Sequence, residues 1–177
     1  MAPSQKQIFL KPQDLVVALK LALAPDSAPS YAQLAKDLFM SASEAHAAVQ
    51  RAVVSRLLVQ SSVGLTANAA ALQEFLLHGL TYSFPGVEGP VTRGMPTGAA
   101  APHWAATFDQ TQGLPWVWPD AQGDTRGPAM IPLYPNVPSA CRADPKLYRM
   151  LSSLDALRAG AAREREIAQL EVLRLLA

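Results

Sequence analysis

Residues 30–58, SYAQLAKDLFMSASEAHAAVQRAVVSRLL, read as two short amphipathic helices joined by a tight turn, and they constrain the fold more than any other stretch. Ser30 is placed to cap a helix from about Tyr31 to Leu38, in which Leu34 and Leu38 lie four apart on one apolar stripe. Phe39 and Met40 make the turn. Ser41 with Glu44 three residues later is a capping box: the serine oxygen accepts from an otherwise unpaired amide, and the glutamate reaches back to the cap amide. A second helix therefore starts at Ala42 and runs to about residue 54. Within it Ala45, Val49, Ala52 and Val53 fall on an apolar face, while Ser43, His46, Ala47, Gln50 and Arg51 fall on the other. A small buried face and a compact polar face are what a helix entering the DNA major groove needs, because bulky side chains would hold its backbone away from the base edges. Gln50 can bond adenine with two hydrogen bonds, and Arg51 can bond guanine or a phosphate.

Tyr31, Leu34, Ala35 and Leu38, then Ser41, Ser43 and Glu44, then Arg56, Leu57 and Leu58 resemble the winged helix-turn-helix of MarR-type transcription regulators, over roughly residues 8–65. In that family a Y-x-x-L-A-x-x-L helix precedes an S-x-S-E recognition helix that leaves through a G-L-L-like exit. Arg56 stands here where the glycine is usual. The resemblance implies a homodimer that presents two recognition helices to double-stranded DNA half-sites about one helical turn apart. It assigns the DNA contacts to Tyr31, Gln33, Lys36, Ser41, Ser43, His46, Gln50, Arg51 and Arg56.

The expected fold is mainly α with a small β-wing, in three parts: a winged helix-turn-helix domain over 1–80, an extended arm over 81–140 and a C-terminal helix over 141–177. Ile8, Phe9 and Leu10 read as a brief strand or a staple onto the first helix, which starts at Pro12 and carries Leu15, Val16, Leu19, Leu21 and Leu23. Leu57 to Ser62 is β-prone, and Val63, Gly64 and Leu65 can return as the second strand of a short wing. That wing holds no Lys or Arg and offers DNA little electrostatic grip. Thr66 reads as the cap of a helix from Ala67 to about His78, with Leu72, Phe75, Leu76 and Leu80 on its stripe.

From Tyr82 to Pro138 the character changes, since this stretch holds ten of the fifteen prolines and all the tryptophans, so little regular structure is expected. A disordered linker would be hydrophilic, and this one is not. Trp104, Trp116, Trp118 and Tyr134 should pack against something: the chain's own domain, a second copy or a partner protein. Two rival functions follow, an antitoxin-like module whose 81–140 arm covers a partner while the winged helix autoregulates, and a ligand sensor whose tryptophans line a pocket. PVTRGMPTG, residues 90–98, combines glycine, threonine and Arg93 in a way that can cradle an anion, but lacks the Gly-Lys-Ser/Thr of a phosphate loop. Asp144 then caps a helix with Pro145 at its first position, Gly160 bends or interrupts it, and Ile167, Leu170, Leu173 and Leu176 continue an amphipathic segment suited to dimerisation.

Fifteen basic against fourteen acidic residues give a net charge of +1, so any contact with nucleic acid must come from a local patch. No nucleophile elbow is present, and His46, His78 and His103 have no motif company, so the chain does not read as an enzyme and no cofactor is expected. Cys141 is the single cysteine, no Cys/His cluster has metal-ligand spacing, and Cys141 reads as a buried thiol. The N-terminus does not read as a signal peptide, and no window approaches about 18 consecutive apolar residues, so a cytoplasmic protein without membrane contact is expected.

Overall fold

The computed structural model describes residues 7–62, 64–111 and 113–177. Residues 1–6 of the N-terminal stretch, and Val63 of the expected wing, lie outside the described residues. The architecture is mixed α/β, with helices carrying about half of the chain.

Helix α1 (Pro12–Ala22) starts at its proline, and its amide end is closed by Lys11 N–H donating to the Asp14 carboxylate at 2.8 Å. Leu15 to Leu19 are fully buried, so this helix is the axis of the N-terminal half. Helices α2 (Tyr31–Leu38) and α3 (Ala42–Val54) pack on it and on each other. Both keep their expected caps, Ser30 accepting from Gln33 N–H at 3.1 Å and Ser41 from Glu44 N–H at 3.2 Å. Strands β1 (Leu58–Ser61) and β2 (Gly64–Ala67) form an antiparallel hairpin directly after α3. Thr66 therefore belongs to a strand and caps nothing. Asn68 accepts from Ala71 N–H instead, and α4 runs Ala69–His78, followed by the short α5 (Leu80–Ser83).

The proline-rich stretch departs most from expectation. Strand β3 (Glu88–Pro96) pairs antiparallel with β5 (Thr125–Met130) along its first part and with β4 (Val117–Pro119) at its end. One parallel bridge between Val117 and Ala129 closes the three strands on themselves. The prolines permit this because of where they fall: Pro90 sits at the irregularity between Glu88 and Val91, Pro128 of β5 lies opposite Val91 at the edge of that irregularity, and Pro96 and Pro119 end their strands. Gly94 and Gly127 are required by close approach. A Cβ on Gly94 would lie 2.0 Å from the Trp118 carbonyl oxygen, and one on Gly127 1.7 Å from that of Pro115.

Helix α6 (Val137–Ala143) leads to α7 (Pro145–Ala159), capped as expected by Asp144 accepting from Leu147 N–H at 3.0 Å. Gly160 ends α7, and α8 (Ala162–Leu175) folds back along it. The expected long terminal helix is thus a hairpin, and the face that α8 buries against its own chain differs from the expected stripe: Ala168, Val172 and, just past the helix end, Leu176 are buried, Ile167 and Leu173 are half-buried, and Leu170 is 65% exposed. A single apolar core runs from α1 through α7 to α8.

Two hydrogen bonds tie the two halves together at a consequential place. Phe39, in the turn between α2 and α3, has φ 55°, a left-handed conformation that strains a side chain. The Tyr134 hydroxyl donates to the Leu38 carbonyl, and Asn136 Nδ2 donates to the Phe39 carbonyl at 2.6 Å. Asn136→Ala is expected to destabilise by about 1 kcal/mol, the net value of one hydrogen bond, and Tyr134→Phe by about 1 to 3 kcal/mol because it strips a donor from a buried helix end. Urea melts check both, and unchanged midpoints would mean that the turn holds itself.

Candidate nucleic-acid interface

Helix α3 owes its position to small residues. Ala45, Ala48, Val49 and Ala52 are all fully buried, and three alanines let its backbone approach α1 and α2 closely. Ala48 joins the buried stripe, and Val53, expected on it, is only half-buried. The opposite face exposes Ser43, His46 and Gln50, with Ala47 between them and Val54 57% exposed further along. No exposed side chain from Ser43 to Gln50 is bulkier than histidine or glutamine, so a surface laid against this face can come near the backbone.

The helix starts where its sequence says. Ser41 N–H donates to Glu44 Oε2 at 2.8 Å and the Ser41 hydroxyl donates to the same oxygen at 2.7 Å, with Ser43 Oγ 3.1 Å from Ser41 Oγ. Those bonds, the Ser41 amide first, hold the Glu44 carboxyl below the ordinary range. His46 is not a free rotor, because the half-buried Tyr31 ring meets it edge-on at 4.9 Å between centroids. Gln33 is exposed but its amide donates to Asp37 Oδ1 at 2.6 Å, and Lys36 is exposed beside it on α2.

Arg51 is the main correction. Expected among the groups facing DNA, it donates through Nε and NH2 to the two oxygens of Asp14 at 2.8 and 2.7 Å. The Asp14 side chain is 0% exposed and that of Arg51 19%, so the pair joins α3 to α1 and leaves neither group for a ligand. Arg51 lies at the border of the buried stripe, one position on from the exposed Gln50, where helical spacing alone leaves its direction open. The missed signal is Asp14, an acid set directly before the apolar run Leu15 to Leu19, which needs a cation when buried.

Arg56 does what the usual glycine would do. It adopts φ 62°, with its N–H donating to the Val53 carbonyl and Leu57 N–H to the Ala52 carbonyl, so α3 ends in a left-handed cap without glycine. Its side chain is exposed, and Asn68 Nδ2 donates to its carbonyl at 3.1 Å. The hairpin beyond it exposes Val59, Gln60 and Ser61.

The expected partner-binding set is largely interior. Trp104, Trp118 and Tyr134 are only 5%, 1% and 7% exposed, buried within their own chain. Trp118 Nε1 donates at 2.6 Å to Asp155, which also accepts from the Thr97 hydroxyl at 2.7 Å and from Arg158 at 2.7 Å. Sequence reasoning missed this buried polar centre, since nothing local to Asp155 or Thr97 announces it. Trp116 is half-buried, donates to Glu88 at 3.3 Å and lines a cleft of about 170 Å³ together with Thr97, Asp109 and Glu164. Among the described residues no group of three or more His, Cys, Asp or Glu could hold a metal ion, and no helix is long and apolar enough to cross a membrane. Burial, with the nearby Arg149, lowers the His103 imidazole to about 4 and keeps it neutral near pH 7. Burial raises the Cys141 thiol well above its ordinary value, as an inert interior cysteine requires.

No family model, curated protein or solved structure matches this chain.

Proposed function

We propose that this chain is a sequence-specific DNA-binding transcription regulator that lays α3 in the major groove. The observation that carries this reading is the exposed face of α3. Ser43, His46 and Gln50 project from a helix brought close to its neighbours by alanines, and a tight α2–α3 turn precedes it while a β-hairpin follows it. That order of elements supports a winged helix-turn-helix, and it gives α2 the usual place of the helix that crosses the DNA backbone. Gln50 and His46 are the base-reading residues, Ser43 a shorter contact, and Lys36 and Arg56 the phosphate contacts. Tyr31 acts through His46, whose ring it orients. Arg51 has no place in the set, being held by Asp14.

The reading includes a homodimer, because one α3 covers only a half-site. Sedimentation of the protein–DNA complex checks it, with two chains per duplex expected. The rival reading of an arm that covers a partner protein has lost its main support, since Trp104, Trp118 and Tyr134 are buried in their own chain.

Gln50→Ala is expected to weaken binding to the preferred site by about 1 to 3 kcal/mol and to relax base preference at one position of each half-site. Lys36→Ala should weaken every sequence alike and lower the salt slope by about 1. Competition among duplexes mutated one base pair at a time reads both effects. An equal loss on every sequence from Gln50→Ala would argue against direct readout by α3.

A further inference from the structure

Seven of the chain's fifteen Lys and Arg side chains are held by its own carboxylates or by the Gly160 carbonyl. Arg51 pairs with Asp14, Lys20 with Asp144, Arg142 with Asp120, Arg149 and Arg174 with Glu171, and Arg158 with Asp155, while Arg165 donates to the Gly160 carbonyl. The guanidinium groups of Arg93 and Arg126 have no such partner among the described residues. Yet the register of β3 against β5 sets these two residues directly opposite each other, and both are exposed.

Directly opposed residues of an antiparallel pair project from the same face with their Cβ atoms about 5 Å apart, where like charges repel. The carboxylates of the loop joining β4 to β5 do not relieve this: Asp120 is held by Arg142, and Asp124 accepts from the Thr125 hydroxyl at 3.0 Å. The backbone beneath the pair is fixed. The Arg93 carbonyl accepts from Asp120 N–H at 3.1 Å, and Gly94 is packed so tightly against Gly123 that a Cβ on the latter would lie 2.2 Å from the Gly94 carbonyl oxygen.

We propose that Arg93 and Arg126 form a phosphate-binding pair on the three-stranded unit. Each guanidinium presents a planar fork that matches two oxygens of a phosphoryl group, and two forks on one face neutralise a dianion while removing their mutual repulsion. The phosphoryl group comes either from a nucleic-acid backbone or from a free small anion. The proposal stands apart from the α3 reading, because it needs no base contact and no groove.

Titration calorimetry with inorganic pyrophosphate at low ionic strength tests it, beside acetate and chloride at matched ionic strength. Wild type should bind pyrophosphate saturably and ignore the controls, Arg93→Gln and Arg126→Gln should each weaken it about tenfold or more, and the double variant should abolish it. The Arg93→Lys and Arg126→Lys pair keeps the charge but loses the forks and should retain only part of the affinity. Melting curves confirm that these surface variants remain folded. In a parallel arm, the double glutamine variant is titrated with the protein's own upstream duplex and a scrambled one. An equal loss on both duplexes, with the salt slope flattened by about 1 to 2, assigns the pair to the DNA backbone. Pyrophosphate binding with unchanged DNA affinity assigns it to a free phosphoryl anion. If the glutamine variants match wild type with pyrophosphate and with both duplexes, the proposal is overturned. Failure of the α3 reading shows elsewhere, in Gln50→Ala leaving base preference intact.

Discussion

Asp155→Ala is expected to destabilise the protein by about 3 to 5 kcal/mol, the usual cost of leaving one member of a buried ion pair alone. Asp155 is 2% exposed and Arg158 9%, and the aspartate receives hydrogen bonds from Thr97, Trp118 and Arg158. Without it the guanidinium keeps only neutral partners, the carbonyls of Phe84 at 2.8 Å, Pro85 at 3.1 Å and Ile131 at 3.5 Å. A buried hydroxyl and an indole N–H lose their acceptor as well. For a chain of this size the melting temperature should fall by roughly 6 to 20 °C. Calorimetry reads it directly. A fall of only a degree or two would mean that water reaches Arg158 and that the centre between α7 and the three strands is not dry.

The second large effect is at the junction of α1 and α3. Arg51→Ala leaves Asp14, 0% exposed, as a buried carboxylate with only the Lys11 amide for company, and should cost about 3 to 5 kcal/mol. Replacing both together, Asp14→Leu with Arg51→Met, removes the pair instead of breaking it and should recover most of that loss. A double-mutant cycle by urea melts makes the comparison. The two accounts of Arg51 part here: a DNA-facing arginine would leave stability unchanged and weaken binding, whereas the Asp14 pair predicts the stability loss first. A stable Arg51→Ala protein with impaired DNA binding would return Arg51 to the interface.

The α2–α3 pair was legible because its signals are local. Ser30, Ser41 and Glu44 satisfy amides three residues away, and the resulting bounds, Tyr31–Leu38 and Ala42–Val54, match those expected from the sequence. Signals that depend on distant residues failed. β3 meets β5 across a long intervening segment, and neither strand shows clean alternation, so prolines that sit at an irregularity and at strand ends looked like breakers throughout. Thr66 looked like a cap because the strand β2 that claims it is defined only by its pairing with β1. Arg51 looked exposed because its partner lies on another helix. At the candidate interface Ser43, His46 and Gln50 were readable from periodicity, while the Tyr31 contact that orients His46 was not.

Order at the α2–α3 turn has the same two-level origin. Its caps are local, but Tyr134 and Asn136 arrive from nearly a hundred residues away to hold the Leu38 and Phe39 carbonyls. The proline-rich stretch thus supports the candidate DNA-reading element from within the chain.

Whether α3 reads DNA is decided by fluorescence anisotropy of the wild-type protein with its own upstream duplex and with a scrambled duplex, each titrated over salt. Submicromolar binding that favours the upstream sequence is expected, with a log–log salt slope of only a few phosphates, because Lys36 and Arg56 are the exposed cations proposed to meet the backbone beside α3. Absence of binding to either duplex at low salt would contradict it, and would assign the exposed face of α3 to contact with protein instead.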